Sequence, residues 1–277
     1  MVDIRRYLEN TVYRDLDVDR TLDYMRRRYL EPLRPYIDFR NATLADCGAG
    51  YGWLSFAYLR AGGRGAILVD QDCPRMEKAA GIAEALGCAS QCEFRCQKME
   101  DLDIGPVEIF ATIETLEHVG QANIRRCIER MASTTSKAVV LSTPNFCFPI
   151  IAHDTELPFA HWMPLRLRTW YALATGHGDR ERTNAFVSPF DLRPLWRRGF
   201  RPVSRYQTFT QYSDFLAFYP HYLPYGDSDK ARYRARPKPG LAAYVRMAGA
   251  VAGRAAFAIS PNLTSIWVRN GAGDSSF

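Results

Sequence analysis

Apolar residues recur at Leu22, Met25, Tyr29 and Leu33 with arginines between them, a spacing that predicts an amphipathic helix over 18–36. From residue 43 the pattern changes to short continuous apolar runs: Thr43–Cys47 (TLADC), 66–70 (AILVD), 92–97 (CEFRCQ), Val107–Ile113 (VEIFATI) and 138–142 (AVVLS). Segments of helical character separate them at Trp53–Arg60, 74–86 and 121–131. A strand that is apolar at every position has both faces covered. Such strands alternating with helices predict an α/β fold with a mostly parallel sheet and helices on both faces. Further on, 189–198 reads as a helix stopped by Gly199, 201–209 alternates like a strand, and 263–269 is a final strand.

Two connections fall outside this rhythm, 146–187 and 210–262, both rich in proline and aromatic residues. Long connections in a compact domain are usually functional, so these are expected to form substrate walls. The chain is expected to be one domain over 1–277, with an N-terminal helical cap (1–39) and a ligand-binding core (40–145). The tail after 270 has the composition of a disordered end.

Composition narrows the class. The 277 residues are 47% hydrophobic and 24% charged, a globular balance that can bury a large core without disulfide staples. The net charge of +6 permits an anionic ligand. The arginines are spread along the chain rather than gathered in one tract, so a nucleic acid partner is not expected. MVDIRRYLEN lacks the apolar centre of a signal peptide, and the apolar stretch 241–259 is broken by Arg246 and Arg254. A cytoplasmic location is the expectation that follows. Of seven cysteines, Cys88, Cys92 and Cys96 fall at equal steps of four, a spacing that lacks the tight pairs or nearby fourth ligand of a metal site. Cys92 and Cys96 are expected instead to be small apolar side chains on one face of a strand.

The strongest motif is Asp46-Cys47-Gly48-Ala49-Gly50-Tyr51-Gly52, directly after the first strand and opening a helix. Glycines at such a turn let the backbone approach a ligand, and a helix N-terminus offers unpaired N–H groups. Asp70 ends the next strand, where a carboxylate can accept from two ribose hydroxyls. The dinucleotide pattern would want glycine at the sixth position, where this chain has Trp53.

In these residues the sequence resembles the class I methyltransferases that use S-adenosylmethionine (SAM). Asp46, Gly48, Gly50 and Gly52 match that family's first motif, Asp70 with Gln71 its second-strand acid, and Met99-Glu100-Asp101 its acidic loop near adenine. Ile113 to Val119 matches the fourth-strand motif, and Ser142-Thr143-Pro144-Asn145 the end of the fifth strand. The resemblance covers 40–145 well and 186–269 loosely. It implies a Rossmann-like seven-stranded, mostly parallel sheet with insertions after strands 5 and 6, and a methyltransferase activity. It also implies a SAM site built from Asp46, Gly48, Ala49, Gly50, Gly52, Asp70, Gln71, Met99, Glu100 and Ile113.

Glu114-Thr115-Leu116-Glu117-His118 stands just past the fourth strand. On a helical turn, positions i, i+3 and i+4 share one face, so Glu114, Glu117 and His118 would converge. The segment is similar to the metal-binding E-x-x-E-H of two branches, the O-methyltransferases of ubiquinone synthesis and the small-RNA 2′-O-methyltransferases, with the ubiquinone-pathway branch the nearer in motif. That likeness implies magnesium or another divalent ion on these three residues, which would lower the pKa of an acceptor hydroxyl. Metal-free relatives carry Leu-Glu-His-Val here as well, so His118 as a plain base or a structural residue stays open. His153 and His161, after the fifth strand, are the other candidates for base or ligand. The expected reaction is O-methylation of a hydroxylated small molecule: a sugar, a saccharide–lipid or a phenol. RNA 2′-O-methylation, metal-free N-methylation, NAD-dependent oxidoreduction and a SAM- or nucleotide-binding module without turnover are the alternatives.

Overall fold

A computed structural model of the chain describes residues 4–9, 11, 13–151, 157–177, 184–218 and 239–271. Seven strands form one sheet: β1 (Thr43–Cys47), β2 (Gly65–Asp70), β3 (Cys92–Cys96), β4 (Val107–Ile113), β5 (Thr135–Ser142), β6 (Phe200–Pro202) and β7 (Ser265–Arg269). Their spatial order is β3-β2-β1-β4-β5-β7-β6. The pairs from β3 to β5 are parallel, and β7 runs antiparallel to both β5 and β6. The expected Rossmann-like, mostly parallel seven-stranded sheet is therefore what the chain forms.

Side-chain alternation shows why both faces need cover. Leu44, Ile109, Ala111, Val140, Ile266 and Val268 join one apolar cluster, and their neighbours Ala45, Phe110, Val139, Leu141 and Trp267 join another. Helices α2 (Trp53–Arg60) and α3 (Cys73–Ala85) supply Leu54, Phe56, Met76 and Ile82 to the first, while α4 (Ile124–Thr134) supplies Ile128 and Met131 to the second. Each fully buried Leu, Ile or Phe contributes on the order of 1.5–3 kcal/mol.

The N-terminal element differs in kind from the uninterrupted helix expected over 18–36. It opens as an α-helix, α1 (Val18–Met25), capped by the Asp17 carboxylate accepting from the Arg20 N–H. It then widens into a π-turn over Arg26–Leu30 and tightens to a 3₁₀ turn over Glu31–Leu33, where Pro32 cannot carry the α-helix onward. The segment packs on α2 through Leu22, Met25, Leu30 and Leu33.

Two expected features are corrected. The strand over 201–209 stops at Pro202, because the chain turns at Gln207, which takes φ 56°, and the Phe209 carbonyl accepts the N–H groups of Arg205 and Tyr206. Cys96 is not a buried apolar side chain. It is exposed and forms a disulfide with Cys73, although the core would not have required one. The connections beyond β5 and β6 contain helices α5 (Leu165–Ala174), α7 (Tyr212–Phe218) and α8 (Pro239–Ala252), with α6 (Arg193–Arg197) between them. No helix among the described residues is long and apolar enough to cross a membrane.

Candidate active site

The strand order reverses between β1 and β4, and the ends of those two strands open a crevice, the place where sheets of this kind take ligands. The glycine turn lies at its floor. The N–H groups of Gly48 and Ala49 donate to the Val69 carbonyl at 2.8 and 3.1 Å, which lashes the turn to β2. Gly48, Gly50 and Gly52 take φ of 77°, 57° and 84°, a region closed to most side chains. A Cβ on Gly48 would stand 2.1 Å from the Thr115 hydroxyl oxygen. Gly48→Ala is therefore expected to cost about 1–3 kcal/mol, seen as a lower melting temperature. A melting point equal to wild type would show that the turn relaxes.

The Asp70 carboxylate closes the turn from the other side. One oxygen accepts the Gly50 N–H at 2.8 Å and the other the Asp72 N–H at 3.0 Å. Each oxygen keeps a second acceptor position. Asp46 is buried beneath the turn and accepts the Ser55 hydroxyl at 2.9 Å. Burial raises its pKa to about 6, with the charge of Asp70 adding to the effect.

Two adjoining cavities rise from this floor. The first, about 400 Å³, is lined by Gly48, Asp70, Gln71, Arg75, Gln97, Met99, Glu100, Glu114, Thr115, His118 and Val119. Asn123 steadies its far wall, donating to Glu100 at 3.1 Å and to the Val119 carbonyl at 2.9 Å. The second cavity, about 770 Å³, runs under the N-terminal segment. Its walls are Tyr13, Tyr24, Arg28, Tyr29, Tyr51 and Trp53, and its floor is Asp46, Ala49, Gly50, Ile113 and Asn262. Gly48, Arg75 and Glu114 line both. Both volumes lie in the range of small-molecule sites.

Arg28 and Arg75 are the cations that line the second cavity, and Arg28 is the more deeply set. The Arg28 guanidinium donates to the Tyr24 hydroxyl and stands 5.1 Å from the centre of the Tyr29 ring. Burial works against the charge, but the oxygens of Tyr24 and Tyr29 and the carboxylate of Glu114 outweigh it, so the group is held protonated more firmly than usual. Its buried Nε finds no acceptor, and Arg28 makes no ion pair among the described residues.

The E-x-x-E-H segment does not form the helical face that its spacing suggested. Glu114 takes φ 50°, and Leu116–His118 is a single 3₁₀ turn. Glu114 accepts the Ser142 hydroxyl at 2.5 Å. Glu117 is turned inward, where it accepts the Thr143 hydroxyl at 2.9 Å and its carbonyl takes the Ala185 N–H. Burial, and then the neighbouring carboxylate of Glu114, hold the Glu117 carboxyl well above the ordinary range. His118, by contrast, is exposed in the first cavity. Among the described residues no group of three or more His, Cys, Asp or Glu is arranged to hold a metal ion. The three candidate ligands thus do not fit a divalent ion, for want of an α-turn to align them.

Of the other residues singled out, Gly52 lines neither cavity and instead starts α2 in the left-handed conformation. His161 also lines neither cavity. It is buried beside Phe146, Phe186 and Trp162, with Nε2 3.0 Å from the Phe146 carbonyl. His153 lies outside the described residues. Sequence reasoning missed Gln97 and Thr115 in the first cavity, Asn123 behind it, and Tyr13, Arg28, Tyr51 and Asn262 in the second. Gln97, directly after β3, was findable from its place at the carboxyl edge of the sheet. Thr115 and Tyr51 stand inside the two motifs already singled out, whereas Tyr13, Arg28 and Asn262 come from distant parts of the chain and no spacing rule joins them.

No protein-family model matches the chain, and no curated protein matches it. Among solved structures, the magnesium protoporphyrin IX methyltransferase of Synechocystis PCC 6803 with bound SAH is 18% identical, with a TM-score of 0.46 over 67% of this chain and 72% of that one. The cyclase SpnF is 16% identical, with a TM-score of 0.46 over 91% of this chain and 79% of that one. The mitomycin 7-O-methyltransferase is 19% identical, with a TM-score of 0.43 over 66% of this chain and 48% of that one. At these identities function has to be argued from the chain's own cavities.

Proposed function

We propose that the chain is a SAM-dependent methyltransferase acting on a small hydroxylated acceptor. The observation that carries this reading is the pair of cavities meeting at Gly48, beside a glycine turn tied to the Asp70 carboxylate. The first cavity suits a nucleoside. Asp70 has acceptor capacity for two ribose hydroxyls, and Met99 with Val119 offers apolar walls for a base. The glycine turn would let backbone approach the amino-acid end of the cofactor. Bound SAM would supply a methyl group already activated on its sulfonium, leaving the residues around it to align the acceptor oxygen and take up its proton.

The second cavity would hold the acceptor beside the methionine end. Its tyrosines give flat apolar contact with a polar tip, which suits a sugar or a phenol. Glu114 stands at the junction, where its carboxylate can accept a hydrogen bond from the acceptor hydroxyl and orient it. Arg28 would hold the carboxylate of the cofactor's methionine. His118, in the nucleoside cavity, is assigned to the cofactor side rather than to the acceptor. No step is routed through a metal, since the donor set does not fit one.

Titration calorimetry with SAM and with NAD tests the proposal. SAM is expected to bind and NAD is not, and the reverse result would sink it. Arg28→Met is expected to weaken SAM binding by about 10- to 100-fold, the loss of a charge-assisted hydrogen bond. Unchanged SAM affinity with a raised KM for the acceptor would move Arg28 to the acceptor's side.

A further inference from the structure

The solvent faces of two helices in the insertions carry apolar and basic residues and no acid. On α5 the outward positions are Arg166, Leu167, Trp170 and Leu173, with Trp170 65% and Leu173 62% exposed. The polarity of this helix is inverted: Arg168 points inward, only 6% exposed, with its guanidinium over the Phe186 ring. On α8 the outward stripe is Ala243, Arg246, Met247, Ala250 and Val251, and Arg254 extends it into the following turn. These positions recur at i, i+3, i+4, i+7 and i+8, the spacing of a single helix face. Met247 is 58% exposed and Val251 81%.

An ordinary solvated helix carries Asp, Glu and Lys on this face. Here the described stretches 157–177 and 239–259 contain none of the three. The two insertions touch, because the Phe148 ring packs edge-on against Tyr244 of α8 at 5.9 Å. Both insertions leave the sheet near its carboxyl edge, where the two cavities open.

We infer that the α5 and α8 faces form a docking surface for an anionic lipid bilayer, on which the chain lies without crossing it. The chemistry that selects this occupant is exposed tryptophan and leucine flanked by arginine, with charge complementary to acidic headgroups. The arginines can extend their charged ends to the phosphates while their stems lie along the apolar surface. The chain's net charge of +6 has the same sign. The inference stands apart from the reading of the cavities, since it uses none of their residues.

Flotation of the full chain with vesicles tests it. Vesicles of phosphatidylcholine with one-third phosphatidylglycerol are expected to carry the protein, and pure phosphatidylcholine to carry at least tenfold less. Binding should fall as salt is raised, and Trp emission should shift to the blue on binding. Trp170→Glu with Leu173→Glu, and separately Met247→Glu with Val251→Glu, should each lower the bound fraction at least tenfold while SAM affinity stays unchanged. All four positions face solvent, so these variants keep the core. Absence of the chain from both kinds of vesicle would overturn the inference. So would a dimer in sedimentation that either double variant dissociates, because the face would then belong to a second copy.

Discussion

Replacing Asp70 by alanine is expected to weaken SAM binding by about 100-fold or more while leaving the chain folded. Two losses add. The carboxylate is the acceptor placed to receive ribose hydroxyls, and it is also the group that holds the Gly50 and Asp72 N–H groups. Hydrogen bonds to a charged group are worth about 1.5–3 kcal/mol each, and about 1.4 kcal/mol is a factor of ten. The core does not depend on Asp70, whose surroundings are backbone and cavity, so the melting temperature should move by only a few degrees. Asp70→Asn keeps one carbonyl acceptor and should fall between the two. The check is calorimetric titration alongside thermal unfolding. Wild-type affinity in Asp70→Ala would remove this residue from the cofactor site and leave the first cavity without its main polar anchor.

Glu117→Gln is expected to stabilise the protein at neutral and mildly alkaline pH. In the folded chain burial and the nearby Glu114 raise the Glu117 pKa well above the ordinary 4.5. A group whose pKa is raised on folding contributes its stability in full below the unfolded value. That contribution is lost as pH climbs past the unfolded value and through the folded one. The window therefore runs upward from about pH 4.5 through neutrality. Glutamine keeps an oxygen to accept from Thr143 and an N–H to face Glu114, with no proton to lose. The variant should gain on wild type by about 2 kcal/mol or more at pH 8 and by little at pH 5. For a chain of this size that is about 5 °C in melting temperature. A difference between the two proteins that does not change with pH would show that folding does not raise the Glu117 pKa.

These two residues also mark what could be read from the chain and what could not. Asp70 was legible because a carboxylate at the end of the second strand, near a glycine turn, has a fixed geometric meaning in a parallel sheet. The parallel strands β1, β2, β4 and β5 were legible for a similar reason: residues buried on both sides leave a nearly continuous apolar run, whereas β3, at the sheet edge, is largely exposed. Glu117 was misread because the spacing 114, 117, 118 predicts convergence only on an α-turn. The chain instead takes φ 50° at Glu114 and one 3₁₀ turn after it. The alternation over 201–209 misled in the same way, since a single left-handed residue, Gln207, folds the segment back on itself. The second cavity was hidden more deeply. Tyr13 and Arg28 meet Asn262 across most of the sequence, a conjunction that only the tertiary fold creates.

The widened turn at Arg26–Leu30 has a consequence for anyone who alters this protein. A π-turn spends one residue more than an α-helix to advance the same distance. Deleting a single residue there would let the stretch wind as a regular α-helix with both flanks kept in register. Only the residues of the turn itself, Arg28 and Tyr29 among them, would leave their stations, although no side chain had been substituted. The placing of Arg28 in the second cavity is thus written in the number of residues as much as in their identities.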